Sequence, residues 1–234
     1  MAIAQEELFD LLWGLHRAGR PSSLGVMGGT FNPVHVGHTA MADAARDELG
    51  LDGVLYVPAG NPNFKQGLDI VAAHHRLKMV ELACASRPAC AASSLEIDRA
   101  GVTYTYDTLV ELRDVVPPST RVVFVMGGDS LGTFALWHRA ADLVHLAHYA
   151  VAPREGSSVA ASLAALRAAG LDPVVHVLAT PVPTVSSTQL RGLLASGGRT
   201  DGLLDPAVAE YIVRHRLYRP AGARDAGAGE RHGA

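Results

Sequence analysis

The chain has 234 residues, of which 48% are hydrophobic, and a formal net charge of −3 at pH 7. This length suits one α/β domain, and the apolar fraction can supply its core without a disulfide or metal staple. The small negative charge offers no general attraction to nucleic acid. No apolar run approaches the roughly 18 residues of a membrane span, and the first residues form an amphipathic helix pattern instead of a signal peptide, so we expect a cytoplasmic protein without membrane contact.

Short apolar runs alternate with segments of helical spacing along the chain. The predicted strands are 24–27, 54–57, 95–97, 121–126, 149–152 and 174–178, and the predicted helices are 39–49, 72–86, 106–115 and 159–169. Two further helices are predicted to begin at Ser186 or Ser187 and at Asp205, which is followed by proline. This alternation predicts an α/β fold with a Rossmann-like, doubly wound and mainly parallel sheet that carries helices on both faces.

Three regions are expected along the chain. Residues 1–20 form an N-terminal helical extension, residues 21–219 form the main domain, and residues 220–234 are rich in Ala, Gly and Arg without periodicity. Such a composition cannot form a packed core, so we expect a disordered tail. The sequence leaves open whether the first helix packs on the domain and whether the chain forms a homo-oligomer.

The most informative segment is Gly28–His38, which we call the phosphate turn. It reads Gly-Gly-Thr-Phe-Asn-Pro-Val-His-Val-Gly-His, follows a predicted strand and opens a predicted helix. Glycines let backbone N–H groups approach a phosphate, and a helix start adds free N–H donors. His35 and His38 can donate hydrogen bonds to phosphoryl oxygens. Alternatives are a purely structural turn or half of a metal site that lacks a clear third ligand.

A second candidate phosphate element lies near the end of the domain. Ser187 and Thr188 stand at a predicted helix start, and Arg191 follows one helical turn later on the same face. The guanidinium fork suits a β- or γ-phosphate. Read alone, this stretch is also explained as an ordinary capped helix.

The two motifs resemble the signature of the H-x-G-H nucleotidyltransferase superfamily, which pairs G-G-T-F-[DN]-P-x-H-x-G-H with a later I-S-S-T-x-[IL]-R. The segments between them are most similar to nicotinate-nucleotide adenylyltransferases, over about residues 24–218. That similarity rests on Tyr-Thr-Tyr-Asp-Thr-Leu at 104–109, Gly-Gly-Asp-Ser at 127–130, Trp137, and the closing Leu-Tyr at 217–218.

The resemblance implies which residues form the site. The triphosphate would be stabilised by His35, His38 and Arg191 as the catalytic residues, and the remaining ATP contacts would be Gly28, Gly29, Thr30, Phe31, Asp129, Ser187 and Thr188. The mononucleotide would be bound by Lys65, Thr105, Trp137 and Arg154. The chain departs from the family at Glu155, which replaces a proline beside Arg154, and at Phe64, where many relatives have histidine.

The implied reaction joins ATP and nicotinate mononucleotide, with Mg²⁺ as the cofactor that accompanies ATP, and yields deamido-NAD and pyrophosphate. Alternative acceptors are nicotinamide mononucleotide, pantetheine phosphate or another phosphorylated compound, since all would use the same ATP machinery. A further alternative is a nucleotide-binding regulator that has kept the fold and lost turnover. The sequence does not decide between acid and amide mononucleotides.

Overall fold

A computed structural model describes residues 4–61, 70–154 and 156–219 of the chain. The strands are β1 Ser23–Gly29, β2 Gly53–Pro58, β3 Cys90–Ala92, β4 Arg121–Gly127, β5 His148–Ala152 and β6 Val175–Val177. The helices are α1 Gln5–Arg17, α2 Val36–Leu49, α3 Ala73–Ala85, α4 Leu95–Asp98, α5 Thr105–Val115, α6 Gly128–Gly132, α7 Ala140–Leu146, α8 Val159–Ala168, α9 Ser187–Ala195 and α10 Pro206–Arg214. The predicted tail, 220–234, lies outside the described residues.

The strands form one six-stranded sheet in the order β3-β2-β1-β4-β5-β6. Every pair of neighbouring strands is parallel. The chain therefore winds outward from β1 in one direction and then from β4 in the other, which confirms the predicted doubly wound fold. Ligands bind such sheets at the carboxyl ends of the two central strands, where the winding reverses. In this protein that point lies between the ends of β1 and β4.

Alternating residues of the strands pack into two separate cores. On one face, Met27, Tyr56 and Val125 join a core formed with α2, α3, α9 and α10. On the other face, Val26, Leu55 and Phe124 join a core formed with α1, α5, α7 and α8. Because both faces are covered, strands β2 and β4 consist almost entirely of buried residues.

The first helix packs directly on the second of these cores. Leu8 and Leu12 of α1 are fully buried, and a Cβ atom placed at Gly53 of β2 would lie 2.4 Å from Leu8 Cδ1. The indole N–H of Trp13 donates to the Val115 carbonyl oxygen at 2.9 Å. The helix before Pro21 is thus a layer of the folded body. No helix in the described parts of the chain combines the length and apolar character needed to span a bilayer.

One predicted strand is wrong. Residues 95–97 belong to the short helix α4, and the strand that pairs with β2 is Cys90–Ala92, in register from Val54 opposite Cys90. Small residues at 90–92 give little periodic signal, whereas Leu-Glu-Ile imitates a strand. The Glu96 side chain instead accepts a hydrogen bond from the Thr108 hydroxyl at 2.7 Å. This bond joins α4 to α5.

Candidate active site

A cleft of about 600 Å³ opens where the winding of the sheet reverses, within the roughly 300–1,000 Å³ range of small-molecule sites. It is lined by every predicted site residue that the structure describes: Gly28, Gly29, Thr30, Phe31, His35, His38, Thr105, Asp129, Trp137, Arg154, Ser187, Thr188 and Arg191. Lys65, Phe64 and Glu155 lie outside the described residues. The fold thus brings the phosphate motifs and the proposed mononucleotide residues into a single cleft.

The phosphate turn bends sharply between β1 and α2. Phe31 is buried and has a φ of 47°, which is the left-handed conformation that non-glycine residues seldom adopt. Its ring lies under the turn, since a Cβ atom at Gly29 would be only 3.1 Å from Phe31 Cζ. Glycine at position 29 therefore allows the backbone to pass directly over the ring. Phe31 also meets the His38 ring edge to face, with the centroids 5.0 Å apart.

The two histidines at the start of α2 stack on each other. Their ring centroids are 3.8 Å apart at an interplanar angle of 26°. The backbone N–H of His35 donates to Nδ1 of His38 at 3.3 Å. Because Nδ1 of His38 accepts this bond, the neutral His38 ring carries its proton on Nε2. His38 is consequently oriented as an N–H donor by the backbone of its own helix start.

His35 is electrostatically unlike an ordinary surface histidine. It is 3% exposed, and burial, reinforced by the charge of Arg154, lowers its pKa to about 4. The ring is therefore neutral at pH 7. Its Nδ1 atom is buried without a hydrogen-bond partner among the described residues. Throughout the residues that the structure describes, no group of three or more His, Cys, Asp or Glu side chains has an arrangement that could hold a metal ion.

The second phosphate element contacts the first through backbone carbonyls. Arg191 of α9 donates from Nη1 to the Asn32 carbonyl oxygen at 2.9 Å and from Nη2 to the Thr188 hydroxyl at 3.1 Å. The hydroxyl of Ser187 donates to the Pro33 carbonyl oxygen at 3.3 Å. The α9 start and the phosphate turn are thus joined into one surface.

A third wall of the cleft is formed after β4 and β5. Asp129, in the first turn of α6, pairs with Arg154 at 3.4 Å, and their side chains are 60% and 37% exposed. An ion pair this exposed contributes little to stability, so both groups are available to a ligand at small cost. A Cβ atom at Gly127 would lie 2.5 Å from Asp129 Oδ1. Glycine at the end of β4 therefore leaves the space that the Asp129 carboxylate occupies.

The end of the cleft around Trp137 is aromatic. Trp137 packs edge to face on Phe124, with centroids 5.8 Å apart, and against Phe134 at 5.3 Å. Thr105 is the first residue of α5, so its backbone N–H belongs to the unpaired donors of a helix start. A flat indole face beside such donors can receive a planar ring that carries an anionic group.

Several cleft residues were not selected from the sequence. They are Glu96, Thr103, Tyr104, Ser130 and His138. His138 stacks on Tyr104, with centroids 4.3 Å apart. Both are immediate neighbours of predicted site residues, Trp137 and Thr105, and that adjacency is the signal that could have found them. Glu96 had no such signal, because it reaches the cleft only through the misassigned helix α4.

A family model described as Cytidylyltransferase-like matches residues 26–193, from β1 through most of α9. The matched region contains both phosphate elements and the whole cleft between them. The fold and the site thus define a nucleotidyltransferase.

Relatives narrow this class. The "Probable nicotinate-nucleotide adenylyltransferase" of Bordetella pertussis is 44% identical over 198 residues, which cover 84% of this chain and 98% of that protein. A protein of the same name from Dehalococcoides mccartyi is 37% identical over 196 residues, covering 83% and 96%. The chain therefore belongs to the cytidylyltransferase-like family and, within it, to the nicotinate-nucleotide adenylyltransferases.

A solved structure shares the fold at low sequence identity. The Plasmodium falciparum nicotinic acid mononucleotide adenylyltransferase complexed with NaAD superposes with a TM-score of 0.68 at 19% identity, covering 84% of this chain and 97% of that one. The doubly wound sheet and its covering helices are thus shared with an enzyme whose sequence has diverged widely.

Proposed function

We propose that this enzyme transfers the adenylyl group of ATP to nicotinate mononucleotide, with release of deamido-NAD and pyrophosphate. The observation that carries the proposal is the joint placement of two phosphate elements and an aromatic acceptor end in one cleft. Family membership points to the same reaction. Nicotinate mononucleotide supplies a planar ring with a carboxylate, which suits the aromatic end of the cleft, and a phosphate that would reach toward the end proposed for ATP.

ATP would occupy the end formed by the phosphate turn and α9. Gly28 and Gly29 line the cleft beside the start of α2, where a helix favours negative charge. His38 offers its oriented Nε2–H, and Arg191 offers N–H groups beyond those bound to Asn32 and Thr188. Asp129 would accept hydrogen bonds from the ribose hydroxyls.

The mononucleotide would occupy the aromatic end. Its pyridine ring would stack on Trp137, and its carboxylate would meet the N–H donors at the start of α5, beginning at Thr105. Arg154 would contact its phosphate, once the weak ion pair with Asp129 yields. Lys65 remains a predicted contact, because it lies outside the described residues.

In the proposed reaction, an oxygen of the mononucleotide phosphate attacks the α-phosphorus of ATP. A new P–O bond forms there as the bond to the bridging oxygen of the β-phosphate breaks, and pyrophosphate leaves with that electron pair. The attacking phosphate is already ionised, so no protein side chain needs to remove a proton or form a covalent intermediate. The protein contributes positioning and electrostatic stabilisation of the charge that develops on the leaving group.

Mg²⁺ is proposed as the cofactor because it usually reaches such sites on the triphosphate, keeps several water ligands and needs few protein ligands. Among the described residues that line the cleft, the carboxylates are Glu96 and Asp129. Glu96 is bound to Thr108, so Asp129 is the residue that could contact the ion or its waters. When bound, the ion would neutralise part of the charge on the phosphates.

Pyrophosphate release from ATP, measured with a panel of acceptors, tests the proposal. We expect release with nicotinate mononucleotide to exceed release with nicotinamide mononucleotide, and little or none with pantetheine phosphate. The nucleotide product should have the mass of deamido-NAD. A preference for another acceptor would assign the chain to a sister activity, and ATP binding without release on any acceptor would indicate a regulator.

A further inference from the structure

The segment that follows α10 returns to the phosphate turn. The Tyr218 hydroxyl donates to the side-chain oxygen of Asn32 at 2.9 Å, across 186 positions of sequence. Tyr218 has a φ of 63°, in the left-handed region that non-glycine residues adopt at a cost. Strain of this kind often accompanies a functional constraint. Leu217 and Tyr218 also pack against the core shared by α2, α3, α9 and α10.

Asn32 is the point at which this contact meets the site. The residue is 3% exposed, and its side-chain oxygen accepts a second hydrogen bond, from the Val71 N–H at 3.3 Å. Its main-chain oxygen accepts the bond from Arg191 Nη1. One residue therefore receives Tyr218 on its side chain and the proposed phosphate-binding arginine on its backbone.

The backbone segments next to Asn32 are held by a buried arginine. Arg76 is 1% exposed and donates to the carbonyl oxygens of Thr30, Gly60 and Val71 at 3.0, 3.1 and 3.1 Å. Because three separate segments converge on this buried guanidinium, the backbone before Asn32 and the Val71 donor are both fixed. Tyr218 supplies the support from the far end of the chain.

We infer that Tyr218 is a positioning residue for the triphosphate: its hydroxyl fixes Asn32, and the Asn32 carbonyl in turn fixes the Arg191 guanidinium. This inference rests on the proposed function for the identity of the reaction, but its effect on ATP binding can be measured without any acceptor. Displacing a positioned group by about 1 Å can cost up to 10²-fold in rate. The Val71 bond to Asn32 would remain, so we expect a smaller effect.

The test is Tyr218→Phe, which removes only the hydroxyl. We expect the dissociation constant and the KM for ATP to rise about 3- to 10-fold, the scale of one lost hydrogen bond, while the KM for the mononucleotide changes less than about 2-fold. The matched control is Tyr211→Phe in α10. The Tyr211 hydroxyl lies 2.8 Å from His75 Nδ1 of α3, so this hydrogen-bond partner is outside the phosphate turn, and the variant should keep wild-type ATP binding.

A double-mutant cycle with Asn32→Asp shows whether Tyr218 acts through residue 32. A carboxylate keeps the acceptor, and a hydrogen bond to a charged acceptor is about twice as strong. Tyr218→Phe should therefore weaken ATP binding more in the Asn32→Asp background than in the wild type. Equal effects in the two backgrounds would overturn the inference.

Two other results would also contradict this role for Tyr218. One is an equal loss of ATP affinity in Tyr218→Phe and Tyr211→Phe. The other is loss of the folded state in Tyr218→Phe. Either result would show that Tyr218 is a packing residue. A wild-type enzyme that binds ATP but transfers nothing would refute the proposed function and leave the ATP-binding test of Tyr218 intact.

Discussion

Replacing His38 with alanine tests the chemistry of the phosphate turn most directly. In the structure, His38 is oriented by the His35 N–H on one ring nitrogen and by the Phe31 ring edge to face. This arrangement orients Nε2–H as a preorganised donor at the end of the cleft proposed for the triphosphate. His38→Ala removes this donor and the ring that stacks on His35, and it leaves the His35 backbone N–H without its acceptor.

The expected loss follows from this geometry. Removing one preorganised donor to a developing negative charge typically costs about 10²–10³-fold in kcat, equivalent to about 2.7–4 kcal/mol of transition-state stabilisation. The KM for ATP should rise much less, because the donor acts mainly as charge builds on the leaving pyrophosphate. His38→Gln, whose amide also carries N–H groups, should recover part of the loss.

The assay is steady-state release of pyrophosphate with both substrates varied, together with circular dichroism to verify the fold. His145→Ala, at an exposed position of α7, is the matched control and should behave as the wild type. Turnover of His38→Ala within about 3-fold of the wild type would refute the role given to this side chain, since a lost donor of this kind costs far more.

Three further predictions concern the rest of the cleft. Trp137→Ala should raise the KM for the mononucleotide far more than the KM for ATP, and equal changes would assign the indole to packing against Phe124. In Gly127→Ala the new Cβ would lie 2.5 Å from the Asp129 carboxylate and should displace it. We expect the KM for ATP to rise about 10-fold with little change in Tm. The control is Gly132→Ala, whose Cβ would meet its nearest neighbour at 3.7 Å. As the pH falls from the ordinary histidine value of 6.5 toward about 4, the unfolded chain gains a proton at His35 that the folded chain does not bind. Urea unfolding should therefore show the wild type losing up to about 3 kcal/mol more stability than His35→Asn across that window, and parallel losses would contradict the lowered pKa.

The phosphate elements could be predicted because their geometry is local. A strand, a glycine turn and a helix start follow one another in the sequence, so the positions of Gly28, His35 and His38 are set within a few residues. Arg191 lies on the same helix face as Ser187 for the same reason. That these two elements meet could be predicted only from the fold. The alternation of apolar runs with helical segments indicated a doubly wound sheet, in which such turns gather at the carboxyl ends of the strands.

Other residues that shape the site could not be predicted from local sequence patterns. Arg76 appears in the sequence as one charged residue of a predicted helix, and its buried position is set by three carbonyls from separate segments. Glu96 reaches the cleft because Cys90–Ala92, not 95–97, pairs with β2. Such contacts depend on register and long-range packing, and no periodic pattern encodes them.

The proposed nucleotide contacts and the proposed acceptor contacts come from segments that are far apart in the sequence. In the proposed function, the nucleotide is bound by the β1–α2 turn and α9, while the acceptor is bound by the start of α5 and the residues around Trp137. The acceptor residues lie on a connection between strands and on a loop after β4, and connections of this kind tolerate sequence change better than the strands they join. A lineage could therefore exchange one acceptor for another by altering two short segments and leave its ATP chemistry untouched. The same division suggests where a designer should graft new substrate recognition onto this scaffold.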